Sequence, residues 1–231
     1  MTFEDARRSD SRPLPDGREI AFPRDRRLLH GIGSVHHRFV HVRRISELAN
    51  AIVRLLPADA HVVDVGCGDG ALAALIKERG RHLRVDGYDV MLRHDATMSV
   101  ECFDGRHLPL ADAAADVVLL VDVLHHTADP LILLREAARV ARKAVIIKDH
   151  RLSRPDARAM LRVMDWIGNR PQEVALTYNY RPESWWQDAW AGLGLRVDHY
   201  QTRLNLYPWP ANWVFERGLH FLARLTKDPE R

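Results

Sequence analysis

The residues with the strongest claim on chemistry are Val62 to Ala71, VVDVGCGDGA, where an apolar run meets three glycines at alternate positions. Gly66, Gly68 and Gly70 let a chain leaving a strand turn tightly and let a ligand approach the backbone. The spacing Gly66-x-Gly68-x-x-Ala71 also satisfies the dinucleotide fingerprint, and Asp89, about 20 residues on, suits the ribose of either kind of cofactor. Asp64 argues against a pyrophosphate: a carboxylate two residues before the first glycine repels a diphosphate and attracts a cation. Two further acidic sites follow, in Phe103-Asp104-Gly105 and at Asp122, which opens Asp122-Val123-Leu124-His125-His126. An isolated aspartate is ordinarily a helix cap or a solvated loop residue. Carboxylates at the ends of successive strands, in this order, point instead to a bound cofactor.

These residues need a frame of strands to hold them. The patterning predicts strands over His61–Val65, Leu83–Asp89, Ser99–Phe103, Ala115–Val121 and Lys143–Lys148. Between them, Ala71–Arg79 and Asp129–Ala141 read as helices, the second with Asp at its start and arginines toward its end. Strands alternating with helices imply a parallel sheet covered on both faces. An amphipathic helix is expected from His36 to Leu56, stopped by Pro57. Farther on, Ser184–Leu193 reads as a helix, Leu195–Gln201 as a strand and Asn212–Phe215 as a last strand. All six tryptophans lie between Trp166 and Trp213, and core packing accounts for most of them.

The chain resembles the class I S-adenosylmethionine-dependent methyltransferases, in particular the small-molecule type 11 branch. VVDVGCGDG, YDV at 88–90, FDGRHLPLADAAADVVLLVDVLHH at 103–126 and DPLILLREAARVARKAVIIKDH at 129–150 carry the resemblance. It implies an α/β, Rossmann-like fold with a seven-stranded, mainly parallel sheet, helices on both faces and an antiparallel last strand. It implies S-adenosyl-L-methionine as cofactor and S-adenosyl-L-homocysteine as product. Carried over, it places Asp64 toward the methionine ammonium and Gly66, Gly68 and Gly70 beneath the methionine part. Asp89, with Val90 beside it, takes the ribose hydroxyls. Asp104 and Gly105 take the adenine edge, and Asp122 and Leu124 lie near the sulfonium. Only nine residues, VMLRHDATM, separate Asp89 from the third strand, so the usual helix there must be very short or absent.

Methyl transfer needs an aligned acceptor and, for some acceptors, a base. His126 and His150 follow strands whose ends floor the cofactor site, and His125, His36, His37 and His41 are further candidates. Tyr178 and Tyr180 alternate around Asn179 in an extended segment and so point to one side; Tyr180 joins His126 and His150 as an expected catalytic residue. Cys67 reads as a small packed residue, since a sulfonium needs no enzyme nucleophile. Asp122, His126, Asp149 and His150 could converge on a metal. Yet no C-x-x-C supports one, and His37-x-x-x-His41 lacks the glutamate of H-E-x-x-H, so no catalytic metal is expected.

Composition bounds the rest. With 231 residues, 46% hydrophobic and 28% charged, the chain reads as an ordinary globular protein. Only four basic residues are lysine, leaving 30 arginines, a bias that need not mean a nucleic-acid surface. No run approaches a membrane span, residues 1–19 hold no apolar leader and two cysteines make no disulfide framework, so a cytoplasmic protein is expected. Residues 1–28 are expected as a flexible arm and 29–231 as the methyltransferase domain, with an insertion at about 151–181 as an acceptor cap. The expected partner is a small-molecule acceptor, a biosynthetic intermediate, with neither nucleic acid nor membrane. RNA or protein methylation, and a non-catalytic cofactor-binding regulator, are the alternatives. The sequence does not speak to oligomeric state.

Overall fold

The computed structural model describes residues 41–169 and 178–227. The arm expected at 1–28 lies outside the described residues, as do His36, His37, residues 170–177 of the expected insertion and the side chains of Trp166 and Asn169. The elements run α1 (Val42–Val53), β1 (His61–Val65), α2 (Ala71–Arg79), β2 (Arg84–Asp89), β3 (Val100–Cys102) and β4 (Ala115–Val121). A 3-10 turn at Leu124–His126 leads to α3 (Pro130–Val140), β5 (Ala141–His150) and α4 (Ala157–Asn169). Then come α5 (Glu183–Gly192), β6 (Leu195–Gln201), α6 (Ala211–Phe215) and β7 (His220–Lys227).

The seven strands form one sheet in the order β3-β2-β1-β4-β5-β7-β6. β1 to β5 are parallel, and β7 runs antiparallel to both of its neighbours. From β1 the chain builds outward to β2 and β3, then returns to place β4 and β5 on the other side. The loops after β1 and β4 therefore diverge at a switch point, where open α/β sheets bind ligands.

Period-two alternation decides which face each strand residue covers. Val63, Val65, Val118, Leu120, Val145 and Ile147 pack on one side with Leu133, Leu134 and Ala137 of α3 and Trp186 and Trp190 of α5. Val62, Val117, Leu119, Ala144 and Ile146 pack on the other with Leu48 and Ile52 of α1 and Ala73 and Ile76 of α2. Both faces being covered, β4 beyond Asp116 is a continuous apolar run, Val117–Val121, rather than an alternating one. Each fully buried leucine of this kind contributes about 1.5–3 kcal/mol. The α3 helix starts where it does because the Asp129 carboxylate accepts from the Leu131 amide at 3.0 Å and Pro130 presets the first turn.

Three details refine the sequence expectations. Asn212–Phe215, expected as a strand, lies within the short helix α6, and the last strand is β7. The physical reason is competition: HFLARL at 220–225 offers a longer apolar run to the open edge of β5, while Asn212 follows Pro210 at the head of a helical turn. Residues 90–99 contain no helix, so the end of β2 leads to β3 through a bare loop. Met160 and Met164 pack beside Leu161, Tyr180 and Leu219. Among the described residues no helix is long and apolar enough to cross a membrane.

Candidate functional site

The ends of β1, β2 and β3 form the first half of the site. Gly66 and Gly68 leave β1 in the left-handed region, with φ of 74° and 61°. A Cβ at Gly66 would stand 2.5 Å from a Val123 methyl, so this loop lies tightly against the loop after β4. A Cβ at Gly68 would meet nothing within 4 Å, which leaves open space over the loop. The loop is tied to β2 by the Gly66 and Cys67 amides, which donate to the Tyr88 carbonyl at 2.7 and 3.2 Å. Asp89 completes the tie: one oxygen accepts from the Gly68 amide at 2.8 Å, the other from the Met91 amide at 3.0 Å.

Asp64 is the residue with an unmet need. Only 2% exposed, it has no donor or cation paired with its carboxylate among the described residues. Burial, and then the Asp89 charge, push its pKa up to about 7. A buried carboxylate in that state calls for a cationic ligand group, and the open space over Gly68 gives one room. The same burial, with Asp64 and Asp89 nearby, pushes the Cys67 thiol up and keeps it protonated.

At the next strand end, Asp104 accepts from the Arg106 and His107 amides at 2.8 and 2.6 Å, bonds that hold its pKa down. Gly105 has φ of 76°, and a Cβ there would stand 3.1 Å from a Val90 methyl. Val90 and Gly105 thus adjoin one another at the rim, with Val90 exposed.

The ends of β4 and β5 form the second half, and it is a dense polar cluster. Asp122, itself in the left-handed region at φ 57°, is ion-paired to Arg44 of α1 and to Lys148 of β5. Burial alone would raise its pKa, but Lys148 and Arg44 hold it well below the usual carboxylate range. Asp149 accepts from the Leu124 amide at 3.1 Å, the His150 amide at 2.6 Å and His125 Nδ1 at 2.6 Å. Burial lowers His125, yet Asp149 outweighs it and the pKa rises. His150 Nδ1 lies 3.0 Å from His220 Nδ1, and His220 Nε2 lies 3.1 Å from the Phe215 carbonyl. Tyr180 is buried and donates to Asp165 of α4. Asn179 fastens this segment to the loop after β4: its amide donates to the His125 carbonyl at 3.1 Å and its Nδ2 to the Thr127 carbonyl at 3.0 Å. His126 lies against His125 with ring centroids 4.0 Å apart and the planes tilted by 44°, and its buried Nδ1 makes no hydrogen bond among the described residues. Burial, then His125, lowers its pKa and keeps the ring neutral.

The sequence-predicted residues therefore fall into two neighbouring groups. Asp64, Gly66, Gly68, Gly70, Asp89, Val90, Asp104 and Gly105 lie at the ends of β1 to β3. Asp122, Leu124, His126, His150 and Tyr180 lie around the ends of β4 and β5. Leu124 is fully buried in the core, so its backbone amide, bonded to Asp149, is what faces the cluster. Arg44, His220 and Asp165 received no role from the sequence, and nothing in their spacing marks them. Lys148 did carry a signal: a lysine inside the apolar run VIIK is a charge that the sheet must bury and pair.

Comparisons with known proteins fit this geometry. Residues 63–147 match the family model described as "Methyltransferase domain", of type 11. No curated protein sequence matches the chain. Among solved structures, a chain of the complex containing the Haloferax volcanii Trm112 methyltransferase activator superposes with a TM-score of 0.60 at 17% identity, covering 86% of this chain and 94% of that one. A SAM-dependent methyltransferase from Thermotoga maritima gives 0.58 at 19% identity, with 87% and 99% covered. An S-adenosylmethionine-dependent methyltransferase from Mesorhizobium loti gives 0.55 at 16% identity, with 77% and 96% covered. At these identities the structures speak for a shared fold.

Proposed function

From the premise that the domain spanning residues 63–147 belongs to the class I methyltransferases of the type 11 branch, with S-adenosylmethionine as cofactor, we propose that this chain methylates a small-molecule acceptor. The bound cofactor supplies a methyl carbon activated by positive sulfur. In this reading Asp64 holds the methionine ammonium, the charge its buried carboxylate lacks. The lone pairs of Asp89 not used by the Gly68 and Met91 amides accept the ribose hydroxyls. Gly66, Gly68 and Gly70 keep the backbone open beneath the methionine part, and Val90, Asp104 and Gly105 border the base. Asp122 and Leu124 fix the loop after β4 through Lys148 and Asp149.

The observation that carries the choice of a small acceptor is Asn179. Its bonds to the loop after β4 bring the segment 178–180 down over the strand ends where an acceptor would stand. A segment held over the strand ends in this way suits a small, enclosed ligand. His126, with its unbonded Nδ1, is the side chain we assign to take a proton from an acceptor that must lose one. With the cofactor supplying the methyl group, the proton that the acceptor gives up would move to that nitrogen. His150 and Tyr180 serve by position, through His220 and Asp165.

The test supplies methyl-labelled cofactor to the full chain in a cell extract and separates the products by size. Label in the low-mass fraction is expected. Label confined to RNA or protein overturns the small-molecule reading, and bound cofactor with no label anywhere identifies a non-catalytic binder.

A further inference from the structure

The cluster at the ends of β4 and β5 holds an arrangement that methyl transfer does not call for. One ligand atom from each of Asp122, His125 and His150 lies within 4.8 Å of the others. Asp165, from α4, closes the group on the remaining side. His150 Nε2 stands 3.7 Å from Asp122 Oδ1 and 3.6 Å from Asp165 Oδ1, and His125 Nε2 stands 3.7 Å from Asp165 Oδ2. Charge-assisted bonds between such partners would close to about 2.7–2.9 Å. The other ring nitrogen of His125 does close, to 2.6 Å on Asp149. Facing groups held 3.6–3.7 Å apart match a different geometry. Ligands about 2.1 Å from a tetrahedral ion stand roughly 3.4 Å from one another.

Two more features agree. Each histidine has its far nitrogen engaged: His125 Nδ1 by the Asp149 carboxylate, His150 Nδ1 by His220, which in turn reaches the Phe215 carbonyl. An outer partner on the far nitrogen fixes the ring of a metal-binding histidine and raises its basicity. Carboxylates also gather there: among the described residues Asp122, Asp149 and Asp165 lie around the two histidines, with Arg44 and Lys148 paired to Asp122.

We propose that His125 Nε2, His150 Nε2 and the carboxylates of Asp165 and Asp122 form a binding site for one divalent transition-metal ion, of the zinc-like class that accepts nitrogen and oxygen ligands. Asp165 offers Oδ1, its other oxygen accepting from the Tyr180 hydroxyl. Asp122 shares its oxygens with Lys148 and Arg44 and is the weaker one. Asp149 is a positioning residue acting through His125. The site shares His150, Asp165 and Asp122 with the proposed methyl-transfer site, but metal binding is read without turnover, so either reading can fail alone. It departs from the expectation of no catalytic metal, its ligands coming from the loop after β4, from β5 and from α4.

The test is cobalt titration of the full-length, metal-stripped protein, followed by visible ligand-field absorption. A saturable band at one equivalent is expected, displaced by zinc and retained in His94→Ala, a variant at an exposed histidine. His150→Ala should weaken cobalt binding about a hundredfold or more, and Asp149→Asn by about 10–100-fold. No band, or a band that His150→Ala leaves unchanged, overturns the site. Should that variant fail to fold, imidazole nitrogen resonances of the wild-type protein decide. They must shift for His125 and His150 on zinc addition, and unmoved resonances overturn the site equally.

Discussion

At the scale of single residues, Asp64 has the clearest consequence. Its folded pKa, pushed up to about 7 from an ordinary 3.8, means that the empty protein holds a proton the unfolded chain gives up. Its contribution to stability is therefore fully present below pH 3.8 and is lost as pH rises through about 7. A cation binds the ionised form, so cofactor affinity should climb over the same window. Melting curves at pH 6 and pH 8, with and without cofactor, should show a larger cofactor-induced shift at pH 8, and Asp64→Asn should flatten the difference. Asp89→Ala removes a charged acceptor and should cost about 1.5–3 kcal/mol of cofactor binding by calorimetry. Unchanged affinity would detach Asp89 from the cofactor. His126→Ala should cut turnover by about 10²–10⁴-fold with cofactor affinity unaltered, as removal of a base does. A loss of affinity instead would make His126 a binding residue.

At the scale of elements, the strand ends matter more than the strands. The middles of β1, β4 and β5 are apolar and buried; Asp116, Arg142 and Lys143 pair where β4 and β5 start, and the other polar residues lie toward the ends that form the site. Lys148 is the exception that proves informative: fully buried in β5, it pairs with Asp122 across the register Val121–Lys148 and so couples two strand ends. Helices contribute separately. Asp129 caps α3 on the exposed side, far from the chemistry of the glycine loop. Asp129→Ala should therefore lower stability by about 0.5–2 kcal/mol in urea unfolding while cofactor affinity stays the same. A change in affinity of similar size would mean that α3 and the loop before it set the cofactor site.

At the scale of the whole molecule, the two halves of the site meet where the sheet order turns about β1 and β4. Gly66 lies against Val123, a contact between the two halves beside the pairing of β1 with β4. Cofactor at a hundred times its dissociation constant should stabilise the native state by about 2.7 kcal/mol. For a chain of this size that is a rise of roughly 5–11 °C in melting temperature. No rise with S-adenosylmethionine, alongside a rise with a nicotinamide dinucleotide, would reverse the choice that Asp64 makes between the two cofactor classes.

What the sequence determined by itself is what contiguous residues can encode. The strand–glycine–helix unit at 62–79 was legible because burial on both faces writes an apolar run and a left-handed turn demands glycine. The same locality made α3 readable from Asp129 and Pro130. The assignment of the last strand failed because local apolarity at 212–215 could not reveal which segment would win the free edge of β5. The polar cluster was decided by tertiary structure alone. Arg44 meets Asp122 across 78 residues and His150 meets His220 across 70, distances at which spacing carries no signal. Sequence placed Asp122 and His150 at strand ends. Only the packed sheet brought α1, α4 and β7 around them, since burying those charges required partners that lie far along the chain.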